Sequence, residues 1–147
     1  AVEIVRAIRP VAYRSDMLVL YRHTPVGPGY GIEESLALAG RLIDAGVDIL
    51  DISPASDTAP GDLAAPFVSL GAPVIAVNEL DQLDRALEVL NHNRASLVAV
   101  GRGFIAEPQW PAKVREGRLD EILACTRCDL CFDDLREGRP VGCVLWE

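Results

Sequence analysis

The sequence predicts an α/β protein built on parallel strands. Four short, mostly apolar runs carry that reading: Met17 to Arg22, Val47 to Ile52, Pro73 to Val77 and Ser96 to Val100. They recur at roughly the thirty-residue period that a strand–helix–strand unit needs. Nearly continuous hydrophobicity marks strands covered on both faces. Composition agrees, since 50% of the 147 residues are hydrophobic but only 5% are aromatic. Two architectures remain, an open doubly wound sheet or a (β/α) barrel. A complete eight-unit barrel takes about 250 residues, so this chain holds the content of roughly half of one.

The elements follow in order. Glu3 to Arg9 reads as the tail of an amphipathic helix, with Val2, Val5 and Ile8 on one side. After the first strand, His23 to Gly31 is rich in Gly and Pro and reads as a loop. A helix is predicted over Glu33 to Ala45, with Leu36, Ala39, Leu42 and Ile43 on one face. Glu33 and Glu34 suit its first turn and Gly46 its end. Ser53 to Gly71 is a loop with room for one short helix near Asp62 to Ser69. Leu80 to Asn91 is a helix with Leu83, Leu87 and Leu90 inward. After the fourth strand, short helices are expected at Trp110 to Arg115 and Asp120 to Ala124. The division is 1–118 for the β/α units and 119–147 for a cysteine-rich appendage.

Charge excludes two classes of partner. A net charge of -8 opposes a phosphate backbone and an anionic membrane surface. The longest weakly polar run, Ala64 to Val77, is broken by Pro66, Gly71 and Pro73, too short to span a bilayer. No secretory signal opens the sequence, and a cytoplasmic location is expected.

All four cysteines lie near the end. Cys125, Cys128 and Cys131 stand at successive spacings of three, and Cys143 follows after eleven further residues. Three thiolates this close can face one centre once the backbone winds, and the fourth can close the cage. The set suits a cubane iron–sulfur cluster. Zinc is the rival, although it more often uses two separated C-x-x-C knuckles. Free or disulfide-bonded thiols are the third reading.

The stretch from Leu97 to Gly117 contains Gly101-Arg102-Gly103 and then Ala106-Glu-Pro-Gln-Trp110-Pro. It resembles the eighth strand and following segment of the NADH:flavin oxidoreductases of the Old Yellow Enzyme family. Leu20-Tyr-Arg22-His-Thr-Pro25 is similar to that family's fifth strand, Ser35 to Ser53 to its next helix and sixth strand, and Pro73 to Val77 to its seventh. The cysteine segment is similar to the iron–sulfur branch, with 2,4-dienoyl-CoA reductase and trimethylamine dehydrogenase. The resemblance implies the C-terminal half of a (β/α)8 TIM barrel.

It also implies functions for particular residues. Arg22 matches the arginine that meets the N1/O2 side of FMN, where charge arrives on reduction. Gly101 and Arg102 match the phosphate grip. Asn78, with Glu79, stands in the turn that completes the phosphate site, where the family usually carries glycine. Cys125, Cys128, Cys131 and Cys143 match the 4Fe-4S ligands. The implied activity is an FMN-dependent NAD(P)H:flavin oxidoreductase, with flavin and pyridine nucleotide as partners. The alternative is a non-catalytic iron–sulfur or zinc module for electron transfer or scaffolding. The family's first four strands and its substrate proton donors have no counterpart here. Self-association, or pairing with an N-terminal half, is therefore expected.

Overall fold

The first helix, α1 (Val2–Arg14), sets one long-range contact that fixes the start of the sheet. Val2, Val5 and Ala12 are buried at spacings that place Arg9 on the same stripe. Arg9 Nη1 donates to Asp48 Oδ2 at 2.5 Å, and the same oxygen accepts the Val19 amide at 2.8 Å. That stripe explains why Ile8, expected inward, is 44% exposed. The helix also runs past Arg9 and through Pro10, which forfeits one backbone hydrogen bond.

The computed structural model describes residues 1–54 and 62–146. Four parallel strands form one sheet in the order β1-β2-β3-β4: β1 (Leu20–His23), β2 (Ile49–Ile52), β3 (Val74–Val77) and β4 (Leu97–Ala99). Between β1 and β2 lies α2 (Ile32–Ala45). Its first turn is tied by the Gly31 amide donating to Glu34 Oε2 at 3.0 Å. Gly46 ends it with φ 112°, a left-handed conformation that glycine adopts freely. A side chain there would also collide with Arg9, whose Cγ lies 2.7 Å from the ideal Cβ position.

The short helix α3 (Ala65–Val68) falls inside the stretch expected for it. Asp62 Oδ1 accepts the Ala64 and Ala65 amides, each at 3.2 Å, and so starts the turn. Part of the expected loop, 55–61, lies outside the described residues. Helix α4 (Leu83–Asn91) begins three residues later than predicted. Ala86 is its buried residue, and Leu87, expected inward, is 42% exposed.

The sheet is two-faced. Leu50, Ile52, Val74 and Ala76 are buried with Val5, Ala39, Leu42 and Phe67 in one cluster. Leu20, Ile49 and Ile75 alternate with them and point the other way. Leu97 pairs with Ile75 and is 48% exposed, while Val98, opposite Ala76, packs on the core. The expectation of strands covered on both faces therefore holds on one face only within these residues. His23 is the last residue of β1 and is buried, not part of the loop.

Two compact units are present, 1–80 with 86–99, and 81–85 with 100–147. The second contains α5 (Arg102–Ala106), α6 (Trp110–Arg115), a single 3-10 turn at Leu119–Glu121, and α7 (Leu130–Arg136). The helix expected at Asp120 to Ala124 is only that turn. Helix α7 was not anticipated, because the cysteine spacing dominates its sequence. Glu107 organises this unit. Its buried carboxylate accepts Lys113 Nζ at 2.5 Å and the Gln109 amide at 3.0 Å. Lys113 Nζ also donates to the Glu121 carbonyl at 2.7 Å. Among the described residues no helix is long and apolar enough to cross a membrane.

Two outcomes follow from this packing. The Arg9 guanidinium, then the Val19 amide, hold the Asp48 carboxyl below its usual value. A depressed folded-state value stabilises the fold above the unfolded pKa, and that stabilisation is lost as pH falls through the folded one. Asp48→Asn should cost about 1 kcal/mol at pH 7, after discounting for partial solvent screening. Denaturant titrations should show the gap to wild type closing below about pH 4. The second outcome concerns the open sheet face and its flank, where Leu18 and Leu20 are 67% and 52% exposed. The 147-residue chain alone should scatter light as a dimer or larger at micromolar concentration. A monomer of 15.9 kDa that resists dilution would contradict this.

Candidate functional site

Arg22 sits near the carboxyl end of β1, on the open face of the sheet. Its Nη2 donates to Ser53 Oγ at 2.7 Å. Ser53 is itself buried and held by its amide donating to the His23 carbonyl at 2.9 Å. The hydroxyl is therefore a fixed acceptor that aims the guanidinium. Asp51 is the in-register partner of Arg22 on the neighbouring strand and shares its face. Burial pushes the Asp51 carboxyl up, and the Arg22 charge pulls against that rise. Sequence reasoning placed Asp51 on β2 but could not place it beside Arg22, since that requires the strand register.

His23 points to the opposite face. Its ring lies 5.7 Å from Phe67 in an edge-on arrangement and 6.2 Å from Tyr21. Burial lowers its pKa, so the ring is neutral at physiological pH. It is a core residue rather than a group facing the Arg22 side of the sheet. His92, just past the end of α4, is exposed with Nδ1 2.8 Å from the Glu88 carbonyl.

The turn after β3 carries a clear backbone signature. Asn78 has φ 120° and Glu79 has φ 52°. Both lie in the region that favours glycine. The turn thus keeps a glycine-like path although its side chains differ from the usual ones of the resembled family.

In the second unit, Gly101 precedes α5, and a Cβ built on it would meet no atom within 4 Å. The space before this turn is open. Gly103 is the reverse case, since its Cβ would lie 2.4 Å from Asp81 Cβ and 2.8 Å from Val100 Cγ1. Trp110 is buried nearby, with Nε1 donating to the Asp81 carbonyl at 3.1 Å and its ring 5.6 Å from Phe104. Arg102 donates from Nη1 to Asp129 Oδ1 at 3.0 Å and lies 5.5 Å over the Phe132 ring. The structure therefore sets the expected phosphate arginine against the cysteine segment. The Arg102 side chain is mostly covered, whereas Asp129 is 56% exposed.

The cysteine segment is wound and tied at several points. Arg127 and Asp129 have φ 59° and 61°, so the chain turns twice between Cys125 and Cys131. Arg127 Nη2 donates to Asp81 Oδ1 at 2.7 Å. Asp134 is buried and accepts Arg139 Nε at 2.9 Å and the Gly142 amide at 3.0 Å. Arg139, then the Gly142 amide, hold its carboxyl below the usual range. This carboxylate draws the chain next to Cys143 back onto α7. All four thiols are free; Cys128 is exposed and the others half-buried. Among the described residues no three His, Cys, Asp or Glu side chains are gathered as a metal site.

Comparison with known proteins adds the family. Residues 65–121 match the NADH:flavin oxidoreductase / NADH oxidase family. NADH oxidase of Thermoanaerobacter brockii is 32% identical over 146 residues, covering 87% of this chain and 22% of that protein. Bilirubin reductase of Clostridium symbiosum is 31% identical over 171 residues, covering 98% of this chain and 45% of that protein. The chain belongs to the NADH:flavin oxidoreductase family. Histamine dehydrogenase of Rhizobium sp. 4-9 matches in structure with a TM-score of 0.84 at 19% identity, over 97% of this chain and 23% of that one. The fold is thus that of (β/α)8-barrel flavin oxidoreductases, of which this chain carries four β/α units. The chain spans less than half the length of these curated relatives.

Gly103→Ala should destabilise the second unit by about 1–3 kcal/mol, because the new methyl must displace Asp81 or Val100. Thermal unfolding followed by Trp fluorescence checks this, since Trp110 rests on the Asp81 carbonyl. An unchanged midpoint would show that this contact gives way freely.

Proposed function

We propose that this chain supplies the Arg22 and phosphate-side part of an FMN-dependent NAD(P)H:flavin oxidoreductase of the iron–sulfur branch. The observation that carries the reading is the Arg22 guanidinium, held by Ser53 on the open sheet face at the carboxyl end of β1. Ligands of barrel folds sit at the carboxyl ends of the strands. The residues fit FMN. Arg22 offers a fixed cation for its N1/O2 side, and the open space at Gly101 leaves room for a phosphate. When bound, FMN would supply hydride-transfer chemistry between a reduced pyridine nucleotide and an activated alkene.

The chain's own residues do the rest. Arg22 offers a fixed positive charge that stabilises negative charge arriving beside it. Ser53 keeps the guanidinium from swinging away. The resemblance assigns Arg102 to the phosphate, and the Asn78 turn offers backbone groups from the first unit. Glu79 adds a carboxylate to that turn, which weakens anion binding. No residue of this chain is assigned the role of proton donor to substrate.

The four cysteines offer the thiolate chemistry a 4Fe-4S cluster takes, although among the described residues they are not gathered as a metal site. Cys125, Cys128, Cys131 and Cys143 supply four thiolates, and Asp134 restrains the return of Cys143. Such a cluster supplies single-electron transfer.

Two measurements test the reading. Protein prepared under nitrogen should contain iron and show a broad brown absorption, and Cys143→Ser should abolish it. Zinc in place of iron, or an unchanged spectrum in the variant, would remove the cluster or Cys143 from the account. FMN should bind the 147-residue chain alone no tighter than about 1 μM, because the remaining barrel contacts are not in it. Submicromolar binding would overturn that division of contacts.

A further inference from the structure

Asp51 is a carboxylate in an unexpected place. Its neighbours on the open face of β2 and β3, Ile49 and Ile75, are apolar. Its Cα pairs with that of Arg22 across two parallel strands, so the two side chains leave the sheet side by side. Arg22, however, donates to Ser53 Oγ at 2.7 Å rather than forking onto this carboxylate. Asp51 Oδ1 is buried and has no hydrogen-bond partner among the described residues. A buried acceptor left unpaired is unfavourable for folding. An apolar residue would serve the sheet better, as it does at Ile49 and Ile75.

We propose that Asp51 is a positioning residue that sets the effective charge of Arg22, and through it the reduction potential of a flavin held against that guanidinium. The inference rests on the reading that Arg22 faces the flavin. Reduction places negative charge near the guanidinium, which the cation favours. A carboxylate beside the cation opposes that gain. Burial raises the Asp51 pKa while Arg22 lowers it, so the carboxylate's charge is linked to the arginine. Ser53 keeps the pair from collapsing into a closed ion pair that would take the guanidinium away from the flavin.

The test is an equilibrium reduction of the FMN-loaded protein with dithionite, a two-electron reduction of the flavin followed by its absorbance. Asp51→Asn should favour reduced over oxidised flavin by about tenfold, an upward midpoint shift of roughly 30 mV for a two-electron couple. Asp51→Glu should keep the wild-type midpoint. Ser53→Ala, which frees Arg22 to close on Asp51, should lower it, and serves if Asp51→Asn does not fold. In the Arg22→Ala background the Asp51→Asn shift should shrink. A folded Asp51→Asn protein with an unchanged midpoint overturns the inference. A full shift that persists without Arg22 also overturns it, since Asp51 would then act on the flavin directly. If Arg22→Ala itself leaves FMN affinity and midpoint unchanged, the reading of Arg22 fails instead.

Discussion

Burial of one face of the sheet beneath the helices decides where every functional group of the first unit points. Leu50, Ile52, Val74 and Ala76 are drawn into a cluster with residues of α1, α2, α3 and α4. A large apolar side chain gains about 1.5–3 kcal/mol from such burial. Side chains alternate along a strand, so fixing these four fixes the opposite set as well. Arg22 and Asp51 lie on the open face because His23 and Ile52, their neighbours, are committed to the core. A one-residue slip of β1 would bury a guanidinium and expose a histidine that packs on Phe67.

The second unit relies on charge more than on apolar area. Its buried carboxylates, Glu107 and Asp134, each accept several donors, one of them a cation. Buried ion pairs are expensive unless fully satisfied, and these are satisfied by backbone amides as well as by Lys113 and Arg139. The arrangement suits a segment of short helices without a wide apolar face. It also places ties next to the cysteines. Arg127 inside the Cys125–Cys128 spacing reaches Asp81, and Gly142 beside Cys143 reaches Asp134.

Much of the first unit was legible in the sequence. The four strands announce themselves through short apolar runs, and α2 through its acidic first turn and terminal glycine. The ends were less legible. α1 passes through Pro10 because Arg9 and Ala12 still gain contacts beyond the point where local propensity weakens. α4 starts late, and its inward position is Ala86, a small residue that periodicity of leucines does not single out. α7 was hidden because a cysteine pattern with one strong chemical meaning masked a helical one.

By itself the sequence determined the α/β class and the parallel order implied by strand–helix alternation, while its resemblance to the family marked Arg22, Asn78, Gly101, Arg102 and the four cysteines as candidates. The first two are set by local residue type and spacing, which need no knowledge of what packs where. The tertiary structure alone decided the partners. It set Asp51 beside Arg22, gave Ser53 the guanidinium, turned Arg102 onto Asp129 and Phe132, and put His23 in the core. Each of these depends on strand register or on a long-range contact. Register is fixed by the sum of burial over the whole sheet, a quantity that no single stretch of sequence carries.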